Sequence, residues 1–398
     1  MKCKITNKTI KPFMTFGKMP IANGFIRKND FKKEFFFEME VGFSKDISLF
    51  QLNNHPKPKL MFNKNYPFFT GSSQGMVKHF KNYATWIKKK YFKNATTLIE
   101  IGSNDGTFLK NFDSKKINFF GFEPSSNVAR VARKNKIKTK NEFFNYKNAS
   151  KLKKLKNKTD LICAANAICH VPNLKDLIKG IDFLLSPKGF FIFEEPYLGS
   201  MFNKISYDQI YDEHIFMFSV SSVKKLFSLM NFDLIDVQPQ TTHGGSMRYV
   251  VARKKKHLIK KNVHKYLKIE KKNNVDNIRG CIDFKRKCEI SKKKLIKKIN
   301  RIKQRGKNIV GYAATSKSTT ILNYCNIGND KIDFICDTTP EKIGKYTPGT
   351  HIPVVSMSHF RKNVPDTIFL FAWNHKKEIF KKEKVYSNKS KWFAHIKI

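Results

Sequence analysis

The sequence lacks the features of a membrane-spanning or secreted chain. No apolar run reaches the roughly 18 residues that a bilayer-crossing helix requires. The first 30 residues contain no basic region followed by a continuous apolar stretch, because Gly17, Lys18 and Pro20 interrupt it. We therefore expect a cytoplasmic protein without a membrane partner.

Acidic residues and arginine are both scarce. Only 31 Asp and Glu oppose 78 Lys and Arg, which gives a net charge of +47 over 398 residues, and only ten of the basic residues are Arg. Proteins that read phosphates and bases favour the forked guanidinium of Arg. Lys, Asn, Phe and Ile are abundant together, as A+T-rich coding produces. We therefore interpret the charge as a lysine-covered surface and do not expect a nucleic-acid partner. The 40% apolar content excludes a disordered polycation.

Closely spaced cysteine pairs are absent. The seven cysteines are widely separated and include no C-x-x-C pair, so their spacing favours neither a disulfide framework nor a zinc site. We expect buried thiols in a reducing compartment.

Four zones follow one another along the chain: 1–75, 76–250, 251–307 and 308–398. The first is rich in turns and aromatic residues and predicts a small domain of short strands. The second and fourth alternate strand and helix patterns, which predicts two α/β units with parallel sheets. The third has 23 basic and four acidic residues. It predicts one or two amphipathic helices from the spacing of Ile282, Cys288, Leu295, Ile299 and Ile302.

The segment 97–124 is the most informative in the chain. A strand over Thr97–Ile101 runs into a turn with two glycines, and a helix is expected from about Thr107. A second strand over Asn118–Phe122 ends in an acidic residue that can accept ribose hydroxyls. The pattern E-x-G-x-x-x-G differs from the pyrophosphate-binding G-x-G-x-x-G. The acidic residues in and before this loop suit a ligand that carries a cationic amino-acid group. This resembles motif I of class I S-adenosylmethionine (SAM) methyltransferases. The resemblance implies a SAM site formed by Glu100, Gly102, Ser103, Asn104, Asp105, Gly106, Glu123, Pro124 and Asn166.

A second polar cluster follows the fifth strand of this zone, at the sheet edge where ligands bind. It contains Tyr211, Asp212, Glu213 and His214. A histidine beside carboxylates is a candidate general base near pH 7.

The whole chain resembles the sugar C-methyltransferase family. The matching segments are 13–25, the SAM loop, 170–172, 211–214, 311–320, 323–324, Asp337, 344–354 and 372–374. The resemblance implies a class I SAM methyltransferase domain between a small N-terminal domain and a C-terminal Rossmann-like domain. It also implies methyl transfer to a carbon beside the ketone of a nucleotide-linked 4-keto-deoxysugar. The implied acid–base residues are His214 first, oriented by Glu213 or Tyr211, with His170 and Tyr66 around it.

The C-terminal loop is expected to help hold the nucleotide diphosphate of this substrate. Backbone N–H groups, hydroxyls and an ammonium can bind phosphate. The residues assigned to the substrate are Thr315, Ser316, Lys317, Asn323 and Tyr346.

The resemblance breaks at the zinc site of the family. Members carry four cysteines in the N-terminal zone, whereas this chain has Cys3 followed by Thr6, Ser44 and Ile47 at the remaining positions. We therefore predict no zinc and no other metal site. The residues leave open a methyltransferase acting on another small molecule or on RNA, and a non-catalytic binding protein with the same fold.

Overall fold

The N-terminal part of the chain is a small antiparallel sheet followed by two helices. The computed structural model describes residues 1–91, 95–362 and 364–397. The elements are β1 (Pro12–Pro20), β2 (Phe36–Ser44), β3 (Leu49–Leu52), α1 (Pro58–Met61) and α2 (Gln74–Tyr91), with short 3-10 helices at Lys28–Lys33 and Thr70–Ser72. Apolar side chains on β1 to β3 face a buried core, which accounts for a sheet this small being stable.

The central part is a seven-stranded sheet covered by helices. Its elements are β4 (Thr97–Ile101), β5 (Asn118–Phe122), α3 (Ser126–Lys134), β6 (Thr139–Lys140), α4 (Tyr146–Ser150), β7 (Thr159–Ala165), α5 (Leu174–Leu184), β8 (Leu185–Pro196), α6 (Leu198–Lys204), β9 (Phe216–Met217), α7 (Val220–Ser228), β10 (Phe232–Gln240) and β11 (Ser246–Arg253). The strand order is β10-β11-β8-β7-β4-β5-β6. β11 runs antiparallel to both of its neighbours, β10 and β8, and the other described pairs are parallel. β9 instead extends the N-terminal sheet beside β3. The carboxyl ends of β4, β5, β7 and β8 therefore meet at one edge.

The C-terminal part is an all-parallel five-stranded sheet preceded by two helices. Its elements are α8 (Lys261–Lys272), α9 (Ile278–Gln304), β12 (Ile309–Tyr312), α10 (Ser316–Tyr324), β13 (Ile335–Asp337), β14 (Val354–Ser356), α11 (Met357–Lys362), β15 (Thr367–Leu370), α12 (Lys376–Lys382), α13 (Lys384–Ser387) and β16 (Lys391–Phe393). The strand order is β14-β13-β12-β15-β16. The predicted fold class, a mixed α/β chain with a Rossmann-like methyltransferase sheet, is confirmed.

The two predicted amphipathic helices of zone 251–307 are α8 and α9. α9 buries Cys281, Phe284, Cys288 and Leu295 at helical spacing against a core shared with the N-terminal sheet. Ile282 does not belong to that face, because it is 56% exposed. No helix in the described ranges has both the length and the apolar character needed to cross a bilayer.

Two boundary predictions were wrong. The helix expected from Thr107 is replaced by a short 3-10 turn over Leu109–Asn111, because the Asp105 carboxylate accepts both the Thr107 N–H (3.2 Å) and its hydroxyl (2.6 Å). The apolar residues over 332–336 also predict a strand, but the strand begins only at Ile335, where pairing with β14 starts.

Candidate active site

One cavity of about 730 Å³ lies at the carboxyl edge of the central sheet. All three parts of the chain contribute to its wall, with Asn23 from the N-terminal part, Gly102 from the central part and Lys317 from the C-terminal part. Ala22 holds these parts together: its N–H donates to Asp212 Oδ1 (3.1 Å) and its carbonyl accepts the Thr319 hydroxyl (2.8 Å). The predicted cofactor and acceptor residues therefore meet in a single space.

The loop after β4 forms one end of the cavity. Gly102 has φ +70°, and a Cβ there would lie 2.6 Å from Ala167 Cβ, so only glycine fits. The N–H groups of Gly102 and Ser103 donate to the Phe122 carbonyl at 2.9 and 3.0 Å. These bonds hold the loop against β5, next to the acidic residue at its end.

Not every residue assigned to the cofactor lines this cavity. Glu100, Gly102, Ser103, Asn104, Glu123, Pro124 and Asn166 do so. Asp105 and Gly106 lie outside the lining. Asp105 instead accepts the Gly71 N–H at 2.7 Å, while Asn104 Oδ1 accepts the Thr70 N–H at 2.8 Å. Both side chains thus fasten the segment after α1 over the loop.

The acidic groups of the cavity suit SAM. Glu100 Oε2 is buried and has no hydrogen-bond partner among the described residues, and burial followed by the charges of Asp105 and Glu123 raises the pKa of Glu100 well above its ordinary value. A ligand ammonium would relieve both penalties. Glu123 lies at the end of β5, in position for ribose hydroxyls. The residues present therefore fit the amino-acid and ribose parts of SAM.

His214 is the base candidate that the geometry supports. Its Nδ1 lies 2.8 Å from the Gln209 carbonyl, and its Nε2 lies 2.7 Å from the Tyr211 hydroxyl. A carbonyl can only accept, so Nδ1 carries the proton and Nε2 keeps a lone pair. Burial, together with the neighbouring His170, lowers the pKa of His214 well below its ordinary value. The imidazole is therefore neutral and able to accept a proton.

Glu213 does not orient His214. Its carboxylate accepts the Asn23 amide (2.6 Å) and the Tyr66 hydroxyl (3.1 Å). Tyr66 and Glu213 thus form a separate pair on the cavity wall, and Tyr211 contacts the base. The orienting group is the backbone carbonyl of Gln209, which carries no sequence signal.

His170 stacks on His214, with ring centroids 5.3 Å apart and planes inclined by 17°. With Cys169, these histidines form a group of candidate metal ligands within 4.8 Å of one another. Ligand lone pairs lie in the imidazole plane, and two nearly parallel stacked rings cannot direct them to one ion. Both nitrogens of His214 are also engaged. We therefore do not assign a metal here.

The loop before α10 supplies the cationic end of the cavity. Thr315 caps α10 through reciprocal hydrogen bonds with Ser318, and Thr315, Ser316 and Lys317 all line the cavity. Lys317 Nζ donates to Asn374 Oδ1 (3.1 Å) and lies 4.8 Å from the centre of the Trp373 ring.

Two residues assigned to the substrate lie elsewhere. The Asn323 amide donates to the Thr319 and Pro348 carbonyls, and Tyr346 pairs with Ile26 and packs edge-on against Phe31. Neither contributes to the cavity lining. Tyr346 instead joins the C-terminal part of the chain to the N-terminal part.

Comparison with known proteins agrees with this architecture. Three family models match in order: a zinc binding domain over 3–62, a methyltransferase domain over 76–237 and a C-methyltransferase C-terminal domain over 241–396. The C-methyltransferase NovU of Streptomyces niveus is 26% identical over 376 residues, which cover 94% of this chain and 89% of NovU. The chain is a SAM-dependent C-methyltransferase. The resemblance inferred from its motifs is thereby confirmed.

Two solved structures are similar to somewhat less than half of this chain. A protein from Pyrococcus horikoshii OT3 is 16% identical, with 47% of this chain and 95% of that chain covered and a TM-score of 0.39. Magnesium protoporphyrin IX methyltransferase from Synechocystis PCC 6803, with bound SAM, is 11% identical, with 45% and 80% covered and a TM-score of 0.34.

The zinc binding region of this C-methyltransferase does not offer a zinc donor set. Cys3 is fully buried and its Sγ accepts the Thr6 N–H at 3.4 Å. Burial raises the pKa of Cys3, but hydrogen bonds with Ser44 and Thr6 outweigh it and leave the pKa below its ordinary value. Ile47 is buried in the apolar core that also contains Cys3. One thiol, two hydroxyls and an alkyl group do not fit a tetrahedral zinc site.

Sequence reasoning missed several cavity residues, among them His243 and Lys342. His243 precedes a pair of glycines between β10 and β11, and Lys342 donates to the Ala314 carbonyl at 2.7 Å while it lines the cavity. The two consecutive glycines after His243 were a usable signal, since they indicate an unusual backbone at the sheet edge. Lys342 lies among many lysines and offered no such signal.

Proposed function

We propose that this C-methyltransferase methylates a carbon atom next to the ketone of a nucleotide-linked 4-keto-deoxysugar. The observation that carries the proposal is the neutral His214 imidazole, whose Nε2 lone pair lies in the same cavity as the SAM loop and Lys317. A proton on a carbon next to a ketone is only moderately acidic, so its removal requires a positioned base.

In the proposed reaction, His214 Nε2 takes the proton as the Tyr211 hydroxyl gives way to the substrate. The electron pair of the C–H bond forms the carbon–carbon double bond of an enolate, and the carbonyl π pair moves to oxygen. When bound, SAM supplies an electrophilic methyl group and keeps the S–CH3 bonding pair on sulfur. The enolate carbon bonds to that methyl group and the ketone is restored. Because burial lowers the pKa of His214, the imidazolium readily releases its proton to solvent.

In this proposal the loop before α10 holds the nucleotide half of the substrate. The ammonium of Lys317 and the hydroxyl groups of Thr315 and Ser316 face the cavity at the start of α10. A helix N-terminus and an ammonium together favour a diphosphate. The net charge of +47 adds a positive field that attracts an anionic substrate.

The test combines SAM binding with a substrate panel. Isothermal titration should detect SAM binding by the wild-type enzyme. Labelled SAM should then transfer its methyl group to dTDP- or GDP-linked 4-keto-6-deoxysugars. It should not transfer the group to dTDP-glucose, which has a hydroxyl group instead of a ketone at carbon 4. A His214→Asn variant should bind SAM and transfer nothing. Label appearing only in bulk RNA, or transfer by the His214→Asn variant at the wild-type rate, would refute the proposal.

A further inference from the structure

His243 is placed in the cavity by an unusual stretch of backbone. Its φ and ψ are 51° and 25°, and Gly244 and Gly245 follow with φ of 82° and 124°. The left-handed region is unfavourable for a residue with a side chain, so the surrounding structure must impose it. Three successive positive φ values turn the hairpin between β10 and β11 over the carboxyl edge of the sheet, where His243 lines the cavity.

The C-terminal part of the chain locks this conformation. A Cβ on Gly244 would lie 2.1 Å from the Trp373 ring, so the ring packs directly against the glycine backbone. The Trp373 indole N–H in turn donates to the buried Asp208 carboxylate at 2.7 Å. The Lys204 ammonium also donates to the Gly244 carbonyl. Packing that fixes His243 this firmly indicates a role that depends on its exact position.

The imidazole of His243 has unused hydrogen-bonding capacity. Its Nε2 is buried and has no partner among the described residues. Burial, and then the nearby Lys317 ammonium, lowers the pKa of His243 to about 3, so the ring is neutral and carries one N–H donor. Leaving such a buried polar atom unpaired is unfavourable. A ligand that accepts this hydrogen bond would remove the cost.

Other donors around the base have partners or assigned roles. The Tyr66 hydroxyl is bonded to Glu213, and the Lys317 ammonium, which donates one of its three N–H groups to Asn374, is assigned to the diphosphate. The Nε2 of His170 is also unpaired, but the His170 ring stacks on His214, whereas His243 comes from a separate segment of the wall. Enolate formation nevertheless requires a donor at the oxygen on which negative charge develops. We propose that His243 donates a hydrogen bond to this acceptor oxygen while His214 removes the proton, and that His243 keeps its own proton throughout.

Neutral imidazoles polarise enolising carbonyls in other folds. The inference about His243 rests on the proposed keto-sugar substrate. Its direct readout is exchange of the substrate's α-proton for deuterium in D2O without SAM. The variant His243→Gly removes the donor and relieves the left-handed backbone, so it should melt at or above the wild-type temperature and bind SAM normally. Exchange and kcat should both fall by about 10²- to 10³-fold.

Two further variants complete the experiment. His243→Asn also tolerates the left-handed backbone and gives the same readout should the glycine variant melt lower. His264→Asn, at an exposed position on α8, is the matched control and should exchange like wild type. Exchange by His243→Gly and His243→Asn within threefold of wild type would overturn the role of His243. A wild-type enzyme that neither exchanges nor methylates any keto-sugar would instead overturn the proposed function itself.

Discussion

Replacing Glu123 by glutamine should weaken SAM binding by about 30-fold. The two carboxylate oxygens of Glu123 already accept the N–H groups of Asn104 (3.0 Å) and Ser125 (2.7 Å). Glutamine presents an NH2 group to one of these donors and removes the charge that favours ribose hydroxyls. A hydrogen bond to a charged group contributes about 1.5–3 kcal/mol and a neutral one about 1. The expected loss is about 2 kcal/mol, which corresponds to about 30-fold in Kd.

Isothermal titration of the Glu123→Gln variant with SAM measures this loss directly. Glu142→Gln is the matched control, because Glu142 is exposed and lies outside the cavity lining. Burial raises the pKa of Glu123, so wild-type affinity should decrease as the pH falls through that raised pKa, a dependence that the glutamine variant lacks. A Kd within threefold of wild type at neutral pH would show that Glu123 does not hold the ribose.

Three further outcomes are expected. Wild-type protein should contain no zinc by mass spectrometry. The triple variant Thr6→Cys, Ser44→Cys, Ile47→Cys should bind one zinc per chain and melt at a higher temperature. Equal zinc contents in the two proteins would contradict the interpretation that wild type lacks three of the four zinc ligands. Glu270→Gln should lower the free energy of unfolding by about 2 kcal/mol in denaturant titrations, since this buried carboxylate accepts three hydrogen bonds; an unchanged midpoint would refute it. Lys317→Met should raise KM for the nucleotide-sugar about 10- to 100-fold without changing SAM affinity, because it removes a charge-assisted contact to the diphosphate; an unchanged KM would place the diphosphate elsewhere.

The cofactor end of the site was predictable because its information is local. The strand, loop and acidic residue that form it lie within one stretch, 97–124, and parallel-strand topology places their ends at one edge. Tyr211 and His214 are likewise close in sequence and meet in the structure. Spacing alone could not show that the Asp105 carboxylate would accept the Gly71 N–H instead of contacting the ligand, because Gly71 lies in another element.

The groups that complete the acceptor end could not be predicted from the sequence. A backbone carbonyl, that of Gln209, fixes the tautomer of His214, and every residue type has a carbonyl. The orientation of His243 depends on Trp373, which is distant in sequence and packs on Gly244 only in the folded chain. Glu213 looked like the partner of its neighbour His214, yet it binds Asn23 and Tyr66. Non-local packing decided each of these cases.

The two ends of the cavity therefore depend on different parts of the fold. The residues assigned to SAM follow strands of one sheet, whereas the acceptor end needs Asn23, the segment around His214 and the loop at Lys317 to meet. Ala22 bonds to both Asp212 and Thr319, so the N-terminal part is the link between the other two. At the positions expected for zinc ligands, that part has a hydrogen-bonded thiol and apolar packing. Because that part supplies Asn23 to the acceptor end and donates from Gly71 to Asp105 at the SAM loop, it positions residues at both ends of the cavity.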